Sequence, residues 1–133
     1  MYRISCDIDF CYGHRLIRYE GKCARLHGHN ARVQIELSSA KLNAQGMVMD
    51  FHDVRETIGK WIKETIDHRL LLAEEDTLVP VLAKVNEPFV TMKENPTAEA
   101  IAKWIYEEAR KRRLPVSKVT LWETPDNSAV YHE

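Results

Sequence analysis

Two stretches of strict alternation, each running into a histidine, constrain this chain more than any other feature. From Tyr2 to Phe10, the residues Tyr2, Ile4, Cys6, Ile8 and Phe10 fall on one side and Arg3, Ser5, Asp7 and Asp9 on the other, the period of a half-buried strand. If the pleat continues, Tyr12 and His14 join the apolar side; a bulge at Gly13 would reverse them. From His29 to Leu37 the pattern returns, with Ala31, Val33, Ile35 and Leu37 sharing the side of His29. Two strands each deliver a histidine to an interior face, and buried imidazoles are costly unless hydrogen-bonded or metallated.

Between the two patterns, Gly21 to Asn30 holds Cys23, His27 and His29. Side chains two apart in a strand share a face, so His27 and His29 point the same way. They make half a metal site, and His14 on the preceding strand is the obvious third donor. Three neutral imidazoles leave one position of a tetrahedral zinc open, which is the catalytic pattern, whereas structural sites take four protein ligands. Histidines satisfied by ordinary hydrogen bonds are the alternative that the pattern leaves open.

The rest of the chain bounds what surrounds these residues. Its 133 residues, 44% hydrophobic, suit one domain over 1–133 that buries a core without disulfides. Lys plus Arg (19) nearly balances Asp plus Glu (20), so no global field recruits nucleic acid or an anionic membrane. No apolar run approaches the roughly 18 residues of a membrane span, and the first residues lack a secretory pattern. Cys6, Cys11 and Cys23 are odd in number and unevenly spaced, as expected of free thiols in a reducing, cytoplasmic compartment. Cys6 reads as core; Cys11 falls on the other face without an assigned role. Arg15, Arg18, Lys22 and Arg25 lie in a basic loop that is either solvated or a cradle for phosphate.

Further along, Asn43 to Gly46 reads as a turn and Met47 to Met49 as a short strand. Asp50 caps a helix whose apolar face is Val54, Ile58, Trp61, Ile62 and Ile66. Asp67 and His68 close it, either as a terminal cap or as a pair facing a cleft. Leu70 to Asn95, interrupted by Pro80 and Pro88, is the least readable region; Thr77 to Val85 suits a short helix and Phe89 to Met92 a short strand. Asn95-Pro96-Thr97 opens a second main helix with Ile101, Ala102, Ile105 and Ala109 as its buried stripe. In the strand from Val116 to Thr124, Glu123 shares parity with Val119 and Leu121, so a carboxylate sits on the apolar face or the strand emerges into water there. A last short strand is expected at Val130 to His132. The order predicts an α+β fold, an antiparallel four-stranded sheet with two helices packed on one face.

Phe10 to His14 (Phe-x-x-x-His), Cys23 to His29 (Cys-x-x-x-His-Gly-His), Gly46 to Phe51, Asp67-His68, Pro96 to Glu99 and Glu123-Thr124, taken in this order, resemble the 6-pyruvoyl-tetrahydropterin synthase and 6-carboxy-tetrahydropterin synthase family over nearly the whole chain. The resemblance implies a tunnelling fold, homo-oligomers built from trimers that often stack into hexamers, and active sites between subunits. It implies zinc on His14, His27 and His29, Cys23 as the base, Asp67 and His68 as a relay, Glu123 as the pterin anchor and Thr97 near the pterin pocket. The implied substrate is 7,8-dihydroneopterin triphosphate.

Two branches follow from it. A carboxy branch releases acetaldehyde and triphosphate to give 6-carboxy-tetrahydropterin, toward queuosine and other deazapurines; a pyruvoyl branch releases triphosphate alone. The short loops are closer to the prokaryotic, carboxy members. A further branch carries glutamate before His-Gly-His, where this chain has Leu26. Cys11-Tyr12-Gly13 stands where relatives often carry small residues, which bears on pocket shape. A zinc-stabilised pterin-binding module without turnover, and a hydrolase or hydratase using zinc hydroxide, are the readings from other classes.

Overall fold

A computed structural model describes residues 1–133. Strand β1 (Tyr2–His14) pairs antiparallel with β2 (His27–Ser39) in unbroken register, from Tyr2 opposite Ser39 to His14 opposite His27. There is no bulge at Gly13, so the pleat carries Tyr12 and His14 onto the face of Cys6, Ile8 and Phe10. That face is the interior: Cys6, Phe10, Tyr12, Ala31, Val33, Ile35 and Leu37 are all buried.

The remaining strands are β3 (Arg69–Ala73), β4 (Phe89–Met92), β5 (Val116–Trp122) and β6 (Ser128–Tyr131), in the sheet order β4-β3-β1-β2-β5-β6. The expected four-stranded antiparallel sheet is therefore corrected to a mixed sheet of six strands. β1, β2, β5 and β6 are antiparallel, while β3 runs parallel to β1 and β4 parallel to β3. β3 is hidden from a period-two reading because Leu71, Leu72 and Ala73 are buried in succession. A parallel strand covered on both faces shows a continuous apolar run, which alternation does not detect.

The first helix begins at Asp50, whose side chain accepts from the His52 amide. It runs as α1 (Phe51–Val54), a π-helical stretch (Arg55–Gly59) and α2 (Lys60–Thr65). Gly59 leaves room for Ile8, whose Cδ1 lies 3.4 Å from where a Cβ would stand. α3 (Leu78–Lys84) is a third helix, beyond the two main ones expected, and α4 (Ala98–Lys111) is the longest. Thr97 caps α4, its hydroxyl accepting from the Ala100 amide at 3.2 Å. Met47 to Met49, expected as a strand, is irregular and bends at Val48 and Met49; it follows a turn in which Asn43 Oδ1 accepts from the Gln45 and Met47 amides and folds the backbone locally.

Val54, Ile58, Ile62 and Ile66 join Ile101, Ala102, Ile105 and Ala109 over the interior face of β1, β2 and β5 in one apolar core. Trp61 and Trp104 meet edge to face, with ring centroids 4.9 Å apart. The helices cover the middle of that face. His14 and His29 lie beyond them, at the end of the β1–β2 ribbon where the chain leading into α4 closes over the sheet.

Candidate active site

The register places His14 directly opposite His27, and Tyr12 opposite His29. His14 Nε2 lies 3.0 Å from His27 Nε2 and 3.2 Å from His29 Nε2. The other nitrogens are held by backbone: His14 Nδ1 donates to Pro96 O and His27 Nδ1 to Arg25 O, both at 2.7 Å. A carbonyl only accepts, so each Nδ1 carries a proton, and in the neutral rings each Nε2 presents a lone pair.

His14 is 3% exposed, and burial pushes its pKa below the usual imidazole value despite the bond to Pro96. Two Nε2 lone pairs 3.0 Å apart repel one another, whereas a cation among the three rings turns that repulsion into ligation. Backbone carbonyls on the outer nitrogens fix ring orientation in the manner of metal-site histidines. The donor set therefore fits a divalent metal ion, and three nitrogens suit zinc without identifying it.

These rings border a cavity of about 370 Å³ that Cys23, Thr97, Glu99 and Glu123 also line. Cys23 belongs to a 3-10 turn, Lys22–Ala24, closed by a bond from the Arg25 amide to Lys22 O at 3.0 Å and tied to the chain just after β1 by one from the Leu16 amide to Cys23 O at 2.8 Å. Glu123 follows β5 on the parity of Leu121 and Val119, and its side chain remains 23% exposed. Its Oε1 accepts from the Tyr12 hydroxyl at 2.9 Å and lies 3.8 Å from His29 Nε2. Burial first, and then the neighbouring carboxylate, push the Tyr12 hydroxyl well above the usual phenol range. It stays protonated as a donor. Sequence reasoning placed Tyr12 on the interior face without finding this role; its shared parity with His14 was the available signal.

Asp67 and His68 lie elsewhere. They line a cavity of about 890 Å³ with Cys11, Asp7, Asp9 and Lys63, toward the outer face of the sheet, and not the cavity of Cys23. His68 Nδ1 stands 3.1 Å from Asp67 Oδ1, which also accepts from the Cys11 amide at 2.9 Å. Burial opposes the charge of Asp67, but the Cys11 amide, His68 and Lys63 outweigh it and hold the carboxyl below its usual range. Of the basic loop, Arg15 pairs with Asp76 and Arg18 with Glu75, leaving Lys22 and Arg25 outside any ion pair.

The family model for 6-pyruvoyl tetrahydropterin synthase matches residues 3–133. A Haemophilus influenzae protein named 6-carboxy-5,6,7,8-tetrahydropterin synthase is 31% identical over the whole of both chains. An Aquifex aeolicus protein of the same name is 38% identical, the match covering 84% of this chain and 76% of that one. Among solved structures, an uncharacterized Wolinella succinogenes protein superposes with a TM-score of 0.87 at 29% identity, over 99% of this chain and 98% of that one. The 6-pyruvoyl tetrahydropterin synthase of Caenorhabditis elegans superposes at 0.73 over 99% and 95%, and its 24% identity speaks for the fold alone.

Proposed function

This chain belongs to the 6-pyruvoyl tetrahydropterin synthase family, and from that premise we propose that it is a 6-carboxy-5,6,7,8-tetrahydropterin synthase. It takes 7,8-dihydroneopterin triphosphate and water to 6-carboxy-tetrahydropterin, acetaldehyde and triphosphate, a step toward deazapurines such as queuosine. The observation that carries this reading is the convergence of His14, His27 and His29 at a cavity that Cys23, Thr97 and Glu123 also line. Relatives named for the carboxy product favour that branch over the pyruvoyl one.

In this reading His14, His27 and His29 hold zinc. When bound, the ion supplies Lewis acidity toward the hydroxyl-bearing side chain without exchanging electrons. Cys23, as thiolate, takes a proton from that side chain. Glu123 accepts from the pterin's ring N–H and amino groups, a charge-assisted contact that fixes the ring. Tyr12 holds one oxygen of that carboxylate and leaves the other free. Thr97, its hydroxyl engaged as the cap of α4, contributes to the wall beside the ring. Lys22 and Arg25 are the loop cations available to the triphosphate.

Asp67 and His68 are on a different side of the sheet from Cys23 in one chain. We assign them to the Cys23 of a neighbouring subunit, where they relay its proton, in a tunnelling-fold trimer or a hexamer of two trimers acting in the cytoplasm. The test is to incubate the zinc-loaded protein anaerobically with 7,8-dihydroneopterin triphosphate and identify the pterin formed. A 6-carboxy product supports the assignment, a 6-pyruvoyl product moves it to the other branch, and no conversion overturns it.

A further inference from the structure

The outer face of the sheet carries a second constellation that the proposed chemistry uses only in part. Cys11 alternates with Phe10 and Tyr12 and so turns away from the core. Its sulfur, the Asp67 carboxylate and the His68 imidazole lie within 4.8 Å of one another. Backbone bonds set their positions beforehand: the Cys11 amide donates to Asp67 Oδ1 at 2.9 Å, the His68 amide to Cys11 O at 2.8 Å and the Asp67 amide to Ile62 O at 3.0 Å.

His68 holds φ 61°, a left-handed conformation unfavourable for a residue with a Cβ. That turn brings its ring beside Asp67 instead of continuing the helix. The proton relay needs Asp67 and His68 and gives Cys11 no task. A thiol, an imidazole and a carboxylate together form the mixed soft and borderline ligand set that suits zinc over magnesium or calcium. The cavity that the three line also receives Asp7 and Asp9, with Asp9 paired to Arg32 and Lys63 as the opposing cation.

We propose that Cys11, Asp67 and His68 form a second zinc site, separate from the three histidines, and that filling it inhibits the enzyme by occupying the two relay residues. Binding converts the Cys11 thiol to a thiolate and releases one proton to solvent. His68 is largely exposed and Cys11 and Asp67 are only half-buried, so water competes for this site more than for the buried histidine site, and it fills only when zinc is in excess. The inhibitory consequence rests on the pterin-synthase reading; the occupancy does not.

The protein with its histidine site filled is titrated with zinc and, in parallel, with cobalt(II), reading bound metal per chain, cobalt absorption and turnover. The expected result is a second, weaker equivalent, accompanied by a thiolate-to-cobalt charge-transfer band and by a fall in turnover of at least five-fold at saturation. Cys11→Ser, a near-isosteric change, keeps the first equivalent and the basal turnover but loses the second equivalent, the band and the inhibition. The band assigned to the second equivalent persists in Cys23→Ser. A single equivalent in the unmodified protein, or an unchanged second equivalent in Cys11→Ser, overturns the site; two equivalents with full turnover overturn its inhibitory role. Two equivalents in a protein that never converts the pterin triphosphate leave the site standing and sink the enzyme assignment instead.

Discussion

The Tyr12 hydroxyl donates to Glu123 Oε1 at 2.9 Å, and this bond spans β2, joining β1 to the end of β5 beside His29. Tyr12 also lies against the rings of His14 and His29, with centroids 5.1 and 5.6 Å away. One side chain thus links the proposed ring anchor to the histidine cluster. Tyr12→Phe keeps the packing and removes the donor. A hydrogen bond to a charged group contributes about 1.5 to 3 kcal/mol, so KM for the pterin triphosphate rises at least about ten-fold. Bound zinc and kcat stay close to their original values. Steady-state kinetics beside metal analysis checks this, and an unchanged KM reduces Tyr12 to a packing role.

Cys23 lines the histidine cavity without belonging to the converging nitrogens. Cys23→Ala lowers turnover by about 10²- to 10⁴-fold, the range for loss of a positioned proton-transfer group, while zinc content is retained. A zinc-hydroxide hydrolase or hydratase would keep most of its activity in this variant. His27→Ala has the opposite signature, losing metal and turnover together.

Asp76 has a fully buried side chain that accepts from Arg15 Nε at 2.9 Å and from the Leu78 amide at 2.8 Å. It fastens the residue after His14 to the start of α3. The Arg15 hydrogen bond, opposed by burial and aided by the Leu78 amide, holds the carboxyl below its usual range. A carboxyl depressed in the folded state stabilises the protein fully above its unfolded pKa, near 3.9 for aspartate. That contribution is lost as pH falls from there through the lower folded value. Asp76→Ala costs about 2 to 3 kcal/mol at pH 7, below the 3 to 5 of a fully buried pair because Arg15 is partly exposed. Urea melts at neutral and acid pH test it: the variant's deficit shrinks in acid.

Leu71 is buried on β3, opposite His14 on one side and Val90 on the other. Leu71→Ala removes packing where the parallel strands join the antiparallel ones and costs about 3 kcal/mol. A chemical melt gives the value directly. A cost below about 1 kcal/mol would mean that β3 packs more loosely than its burial indicates.

How much could be read from the sequence depended on which signal each residue carried. Period-two patterns gave β1 and β2 and put His14 and His29 on the interior face, because one side of each strand packs on helices. β4, α3 and the Thr97 cap followed from local chemistry. β3 escaped because it is covered on both sides, and the strand expected at Met47 to Met49 failed because Asn43 ties Met47 into the preceding turn and the chain bends directly after it. The histidine cluster was legible, since parity alone brings two of its members to one side. The Tyr12–Glu123 bond was not, as it joins residues 111 positions apart and depends on β2 lying between their strands. Nor did the adjacency of Asp67 and His68 reveal that Cys11 sits against them.

The most direct measurement is the ratio of acetaldehyde to triphosphate released when the zinc-loaded protein turns over 7,8-dihydroneopterin triphosphate without oxygen. Equal amounts of the two, appearing together with 6-carboxy-tetrahydropterin, are the predicted result. Triphosphate released without acetaldehyde would contradict the carboxy assignment, and release of neither would contradict the synthase reading itself.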